Sequence, residues 1–291
     1  MQKAKNTAML SVGLALIILM LIYSSTILDS AKKAIESAVF SVVPVLLPYC
    51  FLASIIGEQF YSLPNGVAVF AVFLLGNICG NPIGALLTER LYESGALDKN
   101  NASVLLAVSS SVSPAFSICV IGTMLSSATL GLVIYLTNFS LNFLLLLLLF
   151  KHRGGVSKSG IPTSAPQLSF TEILVRATKK SAVNMSALVV CMVIFSSLCS
   201  LISGVFHLNN NYRALISSFL EIGSTVLNCY FIEKSVALPI AAFSSAFFGF
   251  SIFIQIFANV KELKKSTFFL IRITVSLILL LLFLHISSII Y

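Results

Sequence analysis

Apolar runs dominate the chain, and short polar stretches interrupt them. A membrane-spanning helix needs roughly 20 consecutive apolar residues. Runs of about that length cover residues 9–28, 38–56, 66–87, 103–125, 129–150, 182–205, 214–232, 236–260 and 267–290. The pattern therefore predicts an all-α polytopic membrane protein. The first run follows Lys3 and Lys5 as a signal peptide would, but its apolar core exceeds the usual h-region and lacks a convincing small-residue cleavage site. It is expected to be a retained helix.

Two of these runs carry residues that a lipid-facing helix avoids. Residues 76–84 read GNICGNPIG, with three glycines, two asparagines and a proline. Pro82 has no N–H to donate and pushes Asn81 out of the helical region. Residues 109–114 read SSSVSP, and a polar turn, LTERLYESGALDKNN, joins the two stretches. Backbone groups released at membrane depth must face protein or water. Two segments are thus expected to enter, break and bring their tips together as a polar binding site. Close helix packing through small residues is the competing explanation.

Composition agrees with the membrane class. The 291 residues are 58% hydrophobic and 10% charged, against roughly 25% charged in soluble domains. The net charge of +8 fits basic loops kept on the cytoplasmic side. The N-terminal tail, the polar stretch 151–180 and the segment 261–265 would share that side, which Lys32 and Lys33 fit less cleanly. No basic face with interleaved aromatics points to nucleic acid. Cys50, Cys79, Cys119, Cys191, Cys199 and Cys229 all lie in apolar stretches without a CxxC pair, so neither disulfides nor a metal site is expected. No cofactor is expected either.

The halves resemble each other. Residues 30–56 lie over residues 176–202, each a basic amphipathic start followed by one apolar span, and Gly76 falls near Gly249. With a cytoplasmic linker between them, this predicts two inverted repeats with broken or re-entrant helices. The divisions are an N-terminal helix plus first repeat (1–150), a cytoplasmic linker (151–175) and a second repeat (176–291).

Ionisable residues inside apolar runs are costly and mark function or pairing. Glu221 sits in LISSFLEIGSTVLNCYFI, followed by Gly223, Ser224 and Thr225, which weaken the helix. It is either a protonated carboxyl bonded to a neighbouring helix or a ligand for substrate, ion or proton. Arg272 lies near the start of the last run. It either snorkels to the interface or offers a counter-charge to an anionic substrate or to Glu221.

The order of these features resembles the YlbJ-like (SpoVV-like) sporulation integral membrane proteins, of the nucleoside-recognition (Gate) domain group. The resemblance rests on Gly76, Cys79 to Ala85, Leu87-Thr88, Leu91 to Gly95 and Ser110 to Phe116. In the second half it rests on FLEIGS with Glu221, FGFSIFIQ with Gln255, and FFLIR with Arg272. Asn81, Leu86 and the Ser110-Ser111 pair depart from the family's tyrosine, lysine and paired asparagines. The resemblance implies re-entrant elements and a role in sporulation, with transport of dipicolinate toward the forespore.

The candidate substrate-binding residues are Gly80, Asn81, Pro82, Gly84, Ser110, Ser111, Ser113, Pro114, Glu221, Ser224, Ser251, Gln255 and Arg272. The expected function is transport of a small polar or anionic metabolite across the bacterial cell membrane or the outer forespore membrane, with dipicolinate as the first candidate. A nucleoside transporter, or a non-transporting sensor or scaffold of a sporulation complex, is the alternative. Candidate partners are the lipid bilayer, a second copy and another membrane protein. Enzymatic activity is not expected, since no catalytic constellation or phosphate loop is present in the sequence.

Overall fold

A computed structural model describes residues 2–57, 64–152 and 168–291. The middle of the expected linker, 153–167, lies outside the described residues. Among the described residues the chain is helical throughout, without a strand. Five helices are long and apolar enough to cross a bilayer, as in an integral membrane protein.

The first helix, α1 (Gln2–Ile22), ends at Tyr23, whose φ of −97° and ψ of 26° leave the helical region. Its apolar part, Met9–Ile22, is shorter than the expected 9–28 run. The remainder of that run joins α2 (Ser24–Gly57). A π-helical stretch, Ala38–Val42, interrupts α2 just before Pro44, and Pro48 lies further along the helix. Each proline removes a donor from the ladder, and a π turn is one way a helix absorbs the mismatch.

Three elements follow with short connections. They are α3 (Asn65–Cys79), α4 (Ile83–Glu93) and α5 (Lys99–Ser109). Asp98 caps α5 by accepting from the Asn100 and Asn101 N–H groups, satisfying donors that a helix start leaves open. The next helix, α6, is a π stretch, Phe116–Ile121, running into one turn, Gly122–Met124. The long α7 (Ala128–His152) completes the first half.

The second half repeats this order. A long helix, α8 (Phe170–Val205), begins at a capping box in which Ser169 and Glu172 bond each other's backbone N–H. Then come α9 (Asn210–Leu220), α10 (Ile222–Cys229), α11 (Lys234–Phe247), α12 (Phe250–Asn259) and the long α13 (Lys265–Ile290). In element order, the α3/α4 break stands where α9/α10 does, and the α5/α6 break where α11/α12 does. Gly76, which the sequence comparison set near Gly249, lies inside α3. Gly249 sits in the α11/α12 break.

Helices α3 and α4 fold back on each other. A Cβ on Gly76 would lie 2.9 Å from the Gly84 Cα and 2.1 Å from the Ser109 carbonyl oxygen. Only residues without a side chain let three helix backbones meet so closely. Helices α9 and α10 also fold back, and Asn210 Nδ2 donates to the Phe231 carbonyl at 3.4 Å.

The α5–α6 and α11–α12 pairs run through the bundle in opposite directions. Lys264 N, just after α12, donates to Ser103 Oγ near the start of α5. At the other end, Lys234 Nζ at the start of α11 donates to the Met124 carbonyl at the end of α6. Helices α2 and α8 are also antiparallel, with Ser30 Oγ donating to the Ser196 carbonyl at 3.0 Å and Asn184 near Cys50. A ring cluster of Phe219, Phe243, Phe247, Phe250, Phe253 and Phe268 fills the core beside α11 and α12.

Candidate functional site

Four helix breaks converge near the middle of the bundle. At the first, Gly80 has φ +82°, and a Cβ there would meet the Ser113 backbone N at 3.1 Å. The chain then turns through Asn81 and Pro82 into α4. Asn81 N donates to the Ser111 carbonyl at 3.1 Å, which ties the first break to the second. The expectation that the two serine- and glycine-rich tips meet is realised in this bond.

The second break is Ser110–Ser113. Ser110 turns extended, and its hydroxyl donates back to the Leu106 carbonyl at 2.7 Å. Ser113 Oγ accepts from Phe116 N at 3.2 Å and so caps the following helix.

The third break is Glu221 itself, with φ −159° and ψ 125°. Its carboxylate accepts from Gly223 N at 2.7 Å and from Ser224 N at 2.5 Å. A buried carboxylate is costly unless it is hydrogen-bonded. Here the positive end of α10 supplies both donors. Glu221 is thus an N-cap bonded to its own helix, rather than a group held by a neighbouring one.

The fourth break was not foreseen as such. Phe248 has φ +71° and Gly249 φ +84°. A Cβ on Gly249 would stand 2.7 Å from Glu221 N and from the Leu220 carbonyl carbon and oxygen. Glycine is required there on both conformational and steric grounds. The third and fourth breaks press together much as the first and second do.

The first three breaks and the start of α12, just after the fourth, line one cavity of about 50 Å³, which is room for a few water molecules. Its polar wall is formed by Gly80, Asn81, Ser111, Ser113, Glu221, Ser251 and Gln255, and its apolar wall includes Val42, Leu46, Leu188, Met192 and Ile252. Asn81 Nδ2 and Oδ1, Ser111 Oγ and Ser251 Oγ are buried and have no hydrogen-bond partner among the described residues. Buried polar atoms are nearly always bonded, so several such atoms around one cavity call for water or a ligand. Glu221 is the one ionisable side chain in this lining among the described residues.

Six of the expected site residues lie off the lining. Pro82 starts α4, and Gly84 is the contact point of α3, α4 and α5. Ser110 bonds within its own helix. Pro114 and Ser224 do not reach the cavity wall, although Ser224 N binds Glu221.

Arg272 is the largest departure from expectation. It neither snorkels nor faces Glu221, but is fully buried. Its Nε donates to the Ala246 carbonyl at 2.9 Å, and Nη1 donates to the Ala107 and Ser110 carbonyls at 3.0 Å each. Nη1 also meets Asn142 Oδ1 at 3.0 Å, and Nη2 meets Asn138 Oδ1 at 3.5 Å. The guanidinium carbon lies 4.6 Å from the centre of the Phe248 ring. Arg272 therefore caps the C-terminal ends of α5 and α11 together. Each end carries roughly half a negative charge, and two such ends balance one guanidinium without a carboxylate.

Sequence reasoning missed the asparagines that complete this network. Asn142 Nδ2 reaches Asn77 Oδ1 at 3.2 Å, and Asn77 Nδ2 bonds the Val108 carbonyl at 3.0 Å. The available signal was the pair Asn138 and Asn142, one turn apart on one face of an apolar helix.

No protein-family model matches this chain, and neither a curated protein nor a solved structure matches it.

Proposed function

We propose that the chain is a membrane transporter of a small polar metabolite, with its substrate held where the four breaks meet. The observation that carries this is the set of unpartnered polar atoms on Asn81, Ser111 and Ser251 around one central cavity. Broken helices at the bundle centre are the usual way transporters build a substrate site. The two halves are read as inverted repeats. Their order of long, folded-back, crossing and long elements is the same, and the equivalent long helices α2 and α8 run antiparallel.

The lining bears on the substrate. It carries neutral hydrogen-bonding groups and one carboxylate, and Arg272 is engaged elsewhere. A neutral ligand with several hydrogen-bonding edges, such as a nucleoside, suits it better than the dianion dipicolinate. The resemblance to sporulation proteins still makes dipicolinate the compound to test beside it, and the bacterial cell membrane or outer forespore membrane the expected location. A cavity of about 50 Å³ is too small for either compound, so uptake requires the breaks to separate.

The test is flux into proteoliposomes holding only this protein, with labelled uridine and labelled dipicolinate in parallel. Saturable uridine flux, reduced at least tenfold in Ser111→Ala and in Asn81→Ala, is expected. Dipicolinate flux sensitive to the same variants would keep the site and change the substrate. Absence of flux of both, from protein that unfolds cooperatively, would refute transport and leave the sensor or scaffold.

A further inference from the structure

A second cavity, of about 470 Å³, opens where the end of α2, the last turns of α4 and the start of α8 meet. Four cationic side chains line it: Arg90 from α4 and Arg176, Lys179 and Lys180 from α8. Ser54 and Asn184, both buried, add hydrogen-bonding groups on its inner side. The one acid on α8, Glu172, bonds Ser169 in the capping box and also lies within electrostatic reach of Arg176, one turn further on. No carboxylate is part of the lining among the described residues.

The position of this cavity distinguishes it from a solvated basic loop. It lies at the ends of two helices long and apolar enough to span a bilayer. Val183 lines it and is 68% exposed, and along the same helix Val190 and Ile194 are also exposed. Positions 183 and 190 are two turns apart and share a face, at a separation of about 10 Å. A cationic pocket thus continues directly into an outward apolar stripe. That pairing matches the two ends of a phospholipid, since basic pockets between helices at the bilayer edge seat anionic headgroups. The volume falls in the range that holds a headgroup-sized ligand.

We propose that this pocket binds the phosphate-bearing headgroup of an anionic phospholipid whose acyl chain lies along Val183, Val190 and Ile194. The assignment is independent of the transport reading. A small cavity lined by Ser54, Arg90, Lys180 and Ile83 adjoins the pocket, and Ile83 opens the helix that leaves the Asn81–Pro82 turn. The lipid therefore sits against the same hairpin that carries the first break.

The test uses the purified full chain in neutral detergent, with native mass spectrometry counting bound dioleoylphosphatidylglycerol against dioleoylphosphatidylcholine. Preferential, saturable binding of the anionic lipid is expected. Each surface cation contributes about fivefold to such binding, so the Arg176→Gln/Lys179→Gln variant should bind about 25-fold more weakly. Both side chains are exposed, so the fold should tolerate the change, and Lys179→Gln alone should still weaken binding about fivefold. Lys32→Gln/Lys33→Gln, which removes two exposed charges far along α2, should change nothing. Equal losses in the two double variants, or no loss in either, would overturn the proposal. Tight binding of inorganic phosphate at this pocket, with no preference between the two lipids, would reassign it to a soluble anion and overturn the lipid.

Discussion

Replacing Arg272 with methionine should destabilise the protein strongly, whatever it does to flux. The side chain is fully buried and donates to three backbone carbonyls and two asparagine oxygens. Methionine fills much of the volume but leaves the Ala107, Ser110 and Ala246 carbonyls without this donor. Removing one side of a buried, charge-assisted arrangement costs about 3–5 kcal/mol. For a chain of this size each kcal/mol moves the unfolding midpoint by about 2–4 °C, so a fall of roughly 10 °C is expected. Lysine restores the charge but not the planar fork that reaches α5 and α11 at once, so Arg272→Lys should recover only part of the loss. The chain has no tryptophan, so a thiol-reactive dye is the suitable probe. Cys50, Cys79, Cys199 and Cys229 are buried and report unfolding, while exposed Cys119 is best replaced by serine in the background. An Arg272→Met midpoint within about 2 °C of the parent would refute the capping role. If instead Arg272→Lys unfolds normally but loses all flux, the guanidinium contacts substrate in some working state.

Three further outcomes are expected. Gly84→Ala places a Cβ 2.2 Å from the Ser109 carbonyl oxygen, a backbone clash that should cost about 1–3 kcal/mol, read as a lower midpoint and weakened expression. An unchanged midpoint would mean that α3, α4 and α5 do not meet as described. Glu221→Gln keeps one acceptor for Gly223 N but turns an amide N–H toward Ser224 N. Loss of half the cap should cost about 1–2 kcal/mol, and a midpoint equal to the parent's would show that the carboxylate does not cap α10. Glu89, on the last turns of α4, is pushed up in pKa chiefly by burial, against the Lys261 N–H bond that pulls it down. Because folding raises this pKa, its stabilising contribution is fully present below the unfolded carboxylate range and is lost as pH rises through the folded value. Glu89→Gln keeps an acceptor for Lys261 N, so the midpoint should rise at neutral pH and depend less on pH across the range in which the folded carboxyl ionises. A steeper pH dependence in the variant would contradict this assignment.

Much of the architecture was legible because membrane depth punishes polar backbone. Gly80–Pro82, Ser110–Ser113 and Glu221 each announce a break by residues that helices in lipid avoid, and each is a break. Five of the seven expected site residues that line the cavity lie at those breaks, while Ser251 and Gln255 lie on α12. The fourth break was harder to read, since Phe248 is an unlikely residue for a left-handed turn. Its conformation is held from outside by the Arg272 guanidinium over its ring, which no local pattern encodes. The snorkelling and Glu221-pairing readings of Arg272 do not hold, for the complementary reason. An arginine inside a span looks like a counter-charge, but helix ends supply its partners here, and those exist only once the breaks are placed.

The sharing of one guanidinium by two helix ends divides the molecule into parts that can and cannot shift alone. Ser110 on one chain segment and Ala246 on the other are fastened to the same side chain on α13, so these two crossing elements travel as a single block. Separating them means giving up several buried bonds in one step. The folded-back hairpins α3–α4 and α9–α10 do not bond Arg272 directly; Asn77 on α3 reaches the block through Asn142 and the Val108 carbonyl, and Thr225 on α10 accepts from Ser244 Oγ on α11. Under the transport proposal, the motion that admits a solute is a swing of hairpin against block that gives up these few bonds, and a crosslink between the Asn81 and Ser111 positions is expected to stop it while leaving the block untouched.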